Sequence, residues 1–248
     1  MEELGALQRY EFDTRGYLLI EDALPPASVA TIRAAIDEQG LAPASDTIES
    51  QRFGWHGTML GWHQALRDLI DHPLAVAALS TFIGPDARLD HAYGIAMQPG
   101  TSGLGLHGPA WPFDPAQYYL HRAGAIRSGL LAFSWSLAGG GPGDGGFGCI
   151  PGSHRSAEPV PPGAGKLVRE VPQPPGSLLV FTEALVHCTL RWNGPETRLA
   201  LLYKYSPGCS SWMSTPAAPP EVTRLMTKRQ RLLLQPPFVG GRTPALGG

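Results

Sequence analysis

The spacing of apolar positions changes character once along the chain. In "PPASVATIRAAIDEQG", Val29, Ile32 and Ile36 recur at three- and four-residue intervals. Two prolines, Pro25 and Pro26, precede them and Gly40 follows, which is the start-and-stop chemistry of an amphipathic helix. The preceding run "RGYLLIEDAL" predicts a strand from Gly16 to about Ile20. Residues 41–62 show neither period and are expected to be an irregular excursion. "HQALRDLIDHPLAVAALSTFIG" predicts one or two further helices, broken near His72 and Pro73 because a residue before proline is biased away from helix.

From Arg88 onward the pattern becomes short apolar or alternating runs bounded by Gly/Pro turns. They are "ARLDHAYGIAMQPG", "SGLLAFSWSLAG", "FGCIPGSH", "GKLVREVP", "GSLLVFTEALVHCTLRW" and "RLALLYKYSPG". A strand series after a helical opening predicts a mainly β fold, a sandwich or barrel with N-terminal helices. Beyond it, "PGCSSWMSTPAAPPEV" reads as linker-like and "VTRLMTKRQRLLLQPP" as a short amphipathic helix. No internal repeat interrupts this order. The expected organisation is one domain over 1–248, with a helical part (1–87), a strand-rich core (88–207) and a C-terminal extension (208–248).

Composition narrows the function classes. At 248 residues with 43% hydrophobic content the chain can bury a substantial core, and 25 prolines with 31 glycines fit a fold with many turns. A net charge of −2 leaves no electrostatic footprint for nucleic acid or a membrane surface. Cys149, Cys188 and Cys209 lie far apart without a CxxC pair, so neither a zinc site nor a disulfide framework is suggested. "MEELGALQRYEF" lacks the basic and apolar regions of a leader, and no apolar run approaches 18 residues, so a cytoplasmic protein is expected.

Three positions carry chemistry together. His107 ends the strand-like "GLGLH", His187 sits on the strand of "ALVHCTLRW", and Arg198 opens the strand "RLALLYKY". Two neutral imidazoles from two strands suit Fe(II), with open positions for a dicarboxylic acid and dioxygen. An arginine fork on a neighbouring strand suits the distal carboxylate of that acid.

With these residues in place the chain resembles the phytanoyl-CoA dioxygenase family of Fe(II)/2-oxoglutarate oxygenases. "RGYLLIEDALPPASVATIRAAID" is similar to the family's opening strand and helix, and "GDGGFGCIPGSHR" to its Gly-rich turn and Pro-Gly-Ser-His motif. "PPGSLLVFTEALVHCTLRWNGPETRLALLYKYSP" is similar to its closing segment. The resemblance implies a double-stranded β-helix, a jelly-roll and cupin-like core. It implies His107 and His187 as metal ligands, Arg198 as the 2-oxoglutarate anchor and Thr189 as a helper contact to that co-substrate. The implied partners are dioxygen and a small-molecule substrate, and the implied reaction is hydroxylation of a C–H bond.

One position departs from the family. Where the family has the aspartate of a His-x-Asp pair, this chain has Pro109 in "LHGPAWPFD". Two readings stay open: the ligand position is vacant, or Asp114 folds back to fill it. A vacancy resembles the Fe(II)/2-oxoglutarate halogenases, in which chloride occupies the position, and a third outcome is an inactive binding protein of the same fold. The other histidines point to structure. His154 is expected to hold its turn, and His56, His63, His72 and His121 to lie on the surface. His91 suits either a pocket wall or a satisfied strand position. Trp111, Tyr118, Tyr119 and Trp135 suit a substrate pocket or the core, and Asp144 a turn.

Overall fold

The computed structural model describes residues 3–41, 51–214 and 217–246. Its first element is a helix, α1 (Ala6–Arg15), which the hydrophobic pattern does not announce because Phe12 is its one buried side chain. Strand β1 (Tyr17–Ile20) and helix α2 (Pro26–Asp37) follow at the expected places, α2 opening on Pro26. The excursion expected over 41–62 is corrected in part: β2 (Gln51–Phe53) and a 3-10 helix (Trp55–Gly61) occupy its second half, and 42–50 lie outside the described residues. Helices α3 (Gln64–Asp68) and α4 (Pro73–Phe82) are indeed separated at His72 and Pro73.

The remaining strands are β3 (Arg88–Met97), β4 (Leu104–His107), β5 (Tyr119–Arg122), β6 (Ala125–Ser128), β7 (Leu131–Ala138), β8 (Gly146–Cys149), β9 (Arg169–Glu170), β10 (Leu178–Thr182), β11 (His187–Leu190) and β12 (Arg198–Ser206). They form a six-stranded sheet, β1-β10-β7-β12-β3-β2, facing a four-stranded sheet, β4-β11-β8-β9, with β5-β6 as a separate hairpin. Every pairing is antiparallel. This is the double-stranded β-helix, mainly β with N-terminal helices.

The larger sheet is covered on both faces, which explains why its central strands read as nearly continuous apolar runs. Along β12, Leu201, Tyr203 and Tyr205 turn toward α1–α4 and join the main core with Phe12, Phe82 and Trp135. The phenol groups of Tyr203 and Tyr205 donate to the carbonyls of Leu66 and Ile70, both at 2.7 Å, and strap the α3 region onto the sheet. The alternate positions Arg198, Leu202 and Lys204 face the cavity between the two sheets.

The segment that reads as a linker is in fact docked. Asp90 on β3 is buried and collects it: the N–H groups of Trp212 and Met213 donate to Asp90 at 2.8 and 3.1 Å, and Ser206, Ser211 and Arg88 bond the same carboxylate. Ala217 and Ala218 are buried against the core. The C-terminal helix resolves into two short ones, α5 (Pro220–Thr223) and α6 (Lys228–Leu233).

Candidate active site

The two ligand candidates meet across one strand pair. β4 and β11 run antiparallel with His107 and His187 as direct partners, and their ring centroids are 4.1 Å apart. Each imidazole spends its inner nitrogen on the backbone two residues earlier. His107 Nδ1 stands 2.8 Å from the Gly105 carbonyl, and His187 Nδ1 stands 2.7 Å from the Leu185 carbonyl. A carbonyl only accepts, so each Nδ1 carries a proton, and in the neutral ring Nε2 is the nitrogen left with its lone pair. His187 is buried beside Phe181 and Phe147, and burial pushes it down to about 4, so it is neutral at physiological pH. His107 sits more openly, at the rim.

Arg198 enters the same cavity from the larger sheet. It is 7% exposed, and burial lowers it to about 10, so the guanidinium stays charged. Its Nη1 stands 3.6 Å from the Met97 sulfur, and among the described residues no carboxylate pairs with it. A buried cation without an anion is costly, which makes this a place for one. Gly146 gives it room: at φ +83° its backbone lies so close that a Cβ there would sit 2.9 Å from Arg198 Nε. Thr189 borders the same cavity, of about 210 Å³, together with His91, Tyr93 and Lys204.

Asp114 does not reach this centre. Its Oδ1 accepts from the N–H groups of Ala116 and Gln117 at 2.8 and 2.9 Å, and its Oδ2 from Ala110 at 3.4 Å. It holds its own loop closed. Pro109 faces a second, larger cavity of about 470 Å³, walled in part by Trp111, Tyr118 and Tyr119. Trp135 is instead wholly buried in the core. Among the described residues no group of three or more His, Cys, Asp or Glu stands ready as a metal cluster. Two imidazoles do.

The remaining histidines and Asp144 are mostly structural. His154 is buried, its Nε2 bonds the Asp13 carbonyl at 3.1 Å, and its ring meets Tyr119 edge-on. His63 and His72 accept from Ala65 and Leu74 and cap α3 and α4. His72 is half-buried against Trp135 rather than on the surface. His121 bonds Asp13 at 2.7 Å, and Asp144 closes its turn through the Gly141 N–H at 2.8 Å. His91 is both a wall and a satisfied residue: it borders the cavity while its Nδ1 bonds Asp90 at 2.7 Å.

Sequence reasoning passed over Glu183 and Lys204. Glu183 lies in the turn between β10 and β11, four residues before His187, with Oε2 3.9 Å from His187 Nε2 and Oε1 2.7 Å from Lys204 Nζ. Burial would raise this carboxyl, but Lys204 and His187 bring it down to about 2, so it is ionised. The signal was an acid at i−4 from a candidate ligand histidine.

Comparison with known proteins agrees with the fold. A family model described as phytanoyl-CoA dioxygenase (PhyH) matches residues 12–200. No curated protein sequence matches the chain significantly. Among solved structures, HygX from Streptomyces hygroscopicus with nickel and 2-oxoglutarate bound is 21% identical, with a TM-score of 0.73 over 84% of this chain and 89% of that one. HygX with nickel, 2-oxoglutarate and hygromycin B bound is 20% identical, with a TM-score of 0.72 over 84% and 89%. The non-heme alpha-ketoglutarate-dependent carbocyclase SnoK from nogalamycin biosynthesis is 17% identical, with a TM-score of 0.65 over 97% and 96%.

Proposed function

Since the chain belongs to the phytanoyl-CoA dioxygenase family, we propose that it is an Fe(II)/2-oxoglutarate-dependent oxidoreductase that hydroxylates a C–H bond of a small molecule. The observation that carries this reading is the pairing of two lone-pair-bearing Nε2 atoms with a buried, anion-free guanidinium in one cavity. The donor set fits the cofactors: neutral imidazoles suit Fe(II), and an unpaired arginine suits a dicarboxylate. HygX structures hold nickel and 2-oxoglutarate in the same fold.

When bound, iron and 2-oxoglutarate supply oxygen activation: 2-oxoglutarate loses carbon dioxide and becomes succinate with one oxygen atom of dioxygen, and the other oxygen atom enters the C–H bond. The chain's own residues arrange this. The Gly105 and Leu185 carbonyls hold Nδ1 of each ring, so the neutral imidazoles present Nε2 to a metal. Arg198 would hold the far carboxylate of 2-oxoglutarate, with the Thr189 hydroxyl, on the same cavity wall, as a further donor. Phe147 and Phe181 keep water from His187.

A second reading, halogenation with chloride at the metal, is favoured by Pro109 in place of the family's aspartate and by Asp114 being occupied elsewhere. A non-catalytic binding protein is the outcome if neither cofactor binds. No helix among the described residues is long and apolar enough to cross a membrane.

The test is succinate formation from 2-oxoglutarate by the purified protein with Fe(II) under air, alongside His187→Ala. The expected result is iron-dependent turnover lost in the variant. Equal succinate release from both proteins would refute the assignment.

A further inference from the structure

One buried acid stands beside the second histidine. Asp114, Asp144 and Asp90 are each consumed by backbone N–H groups. Glu183 is buried at 3% exposure, with Oε2 directed to His187 and Oε1 to Lys204, two residues that line the cavity. Its place is fixed by the backbone. The Glu183 N–H donates to the Leu130 carbonyl at 2.9 Å, and the turn closes through Leu185 N–H to the Thr182 carbonyl at 2.9 Å.

Resting on the reading that His107 and His187 hold the metal, we propose that Glu183 is the third, anionic ligand, supplied from the β10–β11 turn in place of the family's carboxylate beside the first histidine. Two ligands at right angles on one metal, each about 2.1 Å away, stand about 3 Å apart. Oε2 is 3.9 Å from His187 Nε2, within about 1 Å of that spacing. Lys204 Nζ, 2.7 Å from Oε1, holds the carboxylate beside His187. The metal then meets two imidazoles and a carboxylate, the set that suits non-haem Fe(II) oxygenases. This arrangement explains how Pro109 is tolerated, and it removes the open protein position that halogenation requires.

The experiment uses the full chain, without oxygen or 2-oxoglutarate, and Co(II) as the probe. Wild type, Glu183→Gln and His187→Ala are titrated, with the visible d–d absorption and calorimetric affinity as readouts. Glutamine keeps the shape and removes the charge. The expected result is at least a tenfold loss of Co(II) affinity and an altered absorption envelope in Glu183→Gln, with no binding in His187→Ala. Unchanged affinity and spectrum in Glu183→Gln, with binding abolished in His187→Ala, would overturn the proposal while leaving the site assignment intact. Unchanged binding in both variants would instead refute the site itself, and the proposal with it. Should Glu183→Gln fail to fold, a crystal structure of wild type with Co(II) decides. A Glu183 oxygen within about 2.0–2.2 Å of the ion supports the proposal, and a Glu183 still paired with Lys204 and away from the ion overturns it.

Discussion

Arg198 is the residue whose environment says most about its role. Its guanidinium is buried and charged and, among the described residues, without a carboxylate partner, a state that a protein keeps where an anion is to be bound. Arg198→Ala is expected to cost about 1.5–3 kcal/mol of 2-oxoglutarate affinity, the range of a hydrogen bond to a charged group. Isothermal titration at fixed metal concentration checks this, and Fe(II) affinity is expected to stay the same. Asp114 tests the opposite kind of role. Its carboxylate satisfies the N–H groups of Ala116 and Gln117, so Asp114→Ala leaves those donors unmade at about 1–3 kcal/mol of stability. Metal affinity is expected not to change, because Asp114 holds its loop and not the ion.

At the scale of elements, the strands that build the site were legible and the surface elements were not. β12 alternates Leu201, Tyr203, Tyr205 with Arg198, Leu202, Lys204, so period-two spacing already separates a helix-facing side from a cavity side. His107 and His187 fall at the ends of two such runs, and the strands pair them directly. α1 was missed because one buried side chain, Phe12, makes no stripe. The β5-β6 hairpin is largely exposed, with only Tyr119 and Ile126 half-buried against the core, too few to imprint a pattern. The docking of Ser211, Trp212 and Met213 was hidden for another reason: it turns on one acid, Asp90, more than a hundred residues away in sequence. Glu183 was passed over because a turn residue takes its role from what the turn brings near it. The junction of α1 and β1 offers a stability test. Gly16 ends α1 at φ +82°, and a Cβ there would stand 2.6 Å from His154 Nδ1. Gly16→Ala combines a left-handed backbone with that clash and is expected to lower stability by more than about 1 kcal/mol in urea unfolding.

For the whole molecule, protons couple the packing to pH. Burial lowers His154 and His187 to about 4, below the ordinary histidine value of 6.5. Between about pH 6.5 and 4 the unfolded chain therefore binds protons that the folded chain does not, so stability is full above 6.5 and is lost as pH falls toward 4. Asp13 is lowered to about 2 because its bonds to Arg155, Tyr119 and His121 outweigh its burial. Its contribution persists to lower pH and is lost between about 3.8 and 2. Melting temperatures measured from pH 7 to 4 are expected to fall less steeply in His154→Gln than in wild type.

The central claim is that one cavity holds a metal on His107 and His187 and 2-oxoglutarate on Arg198. The most direct measurement is an anaerobic titration of the purified chain with Fe(II) and 2-oxoglutarate, followed by visible absorption with and without chloride. The account expects a charge-transfer band that needs both additions, is absent in His187→Ala, and is indifferent to chloride if Glu183 completes the ligand set. No band and no measurable binding of either component, with the protein folded, would contradict it.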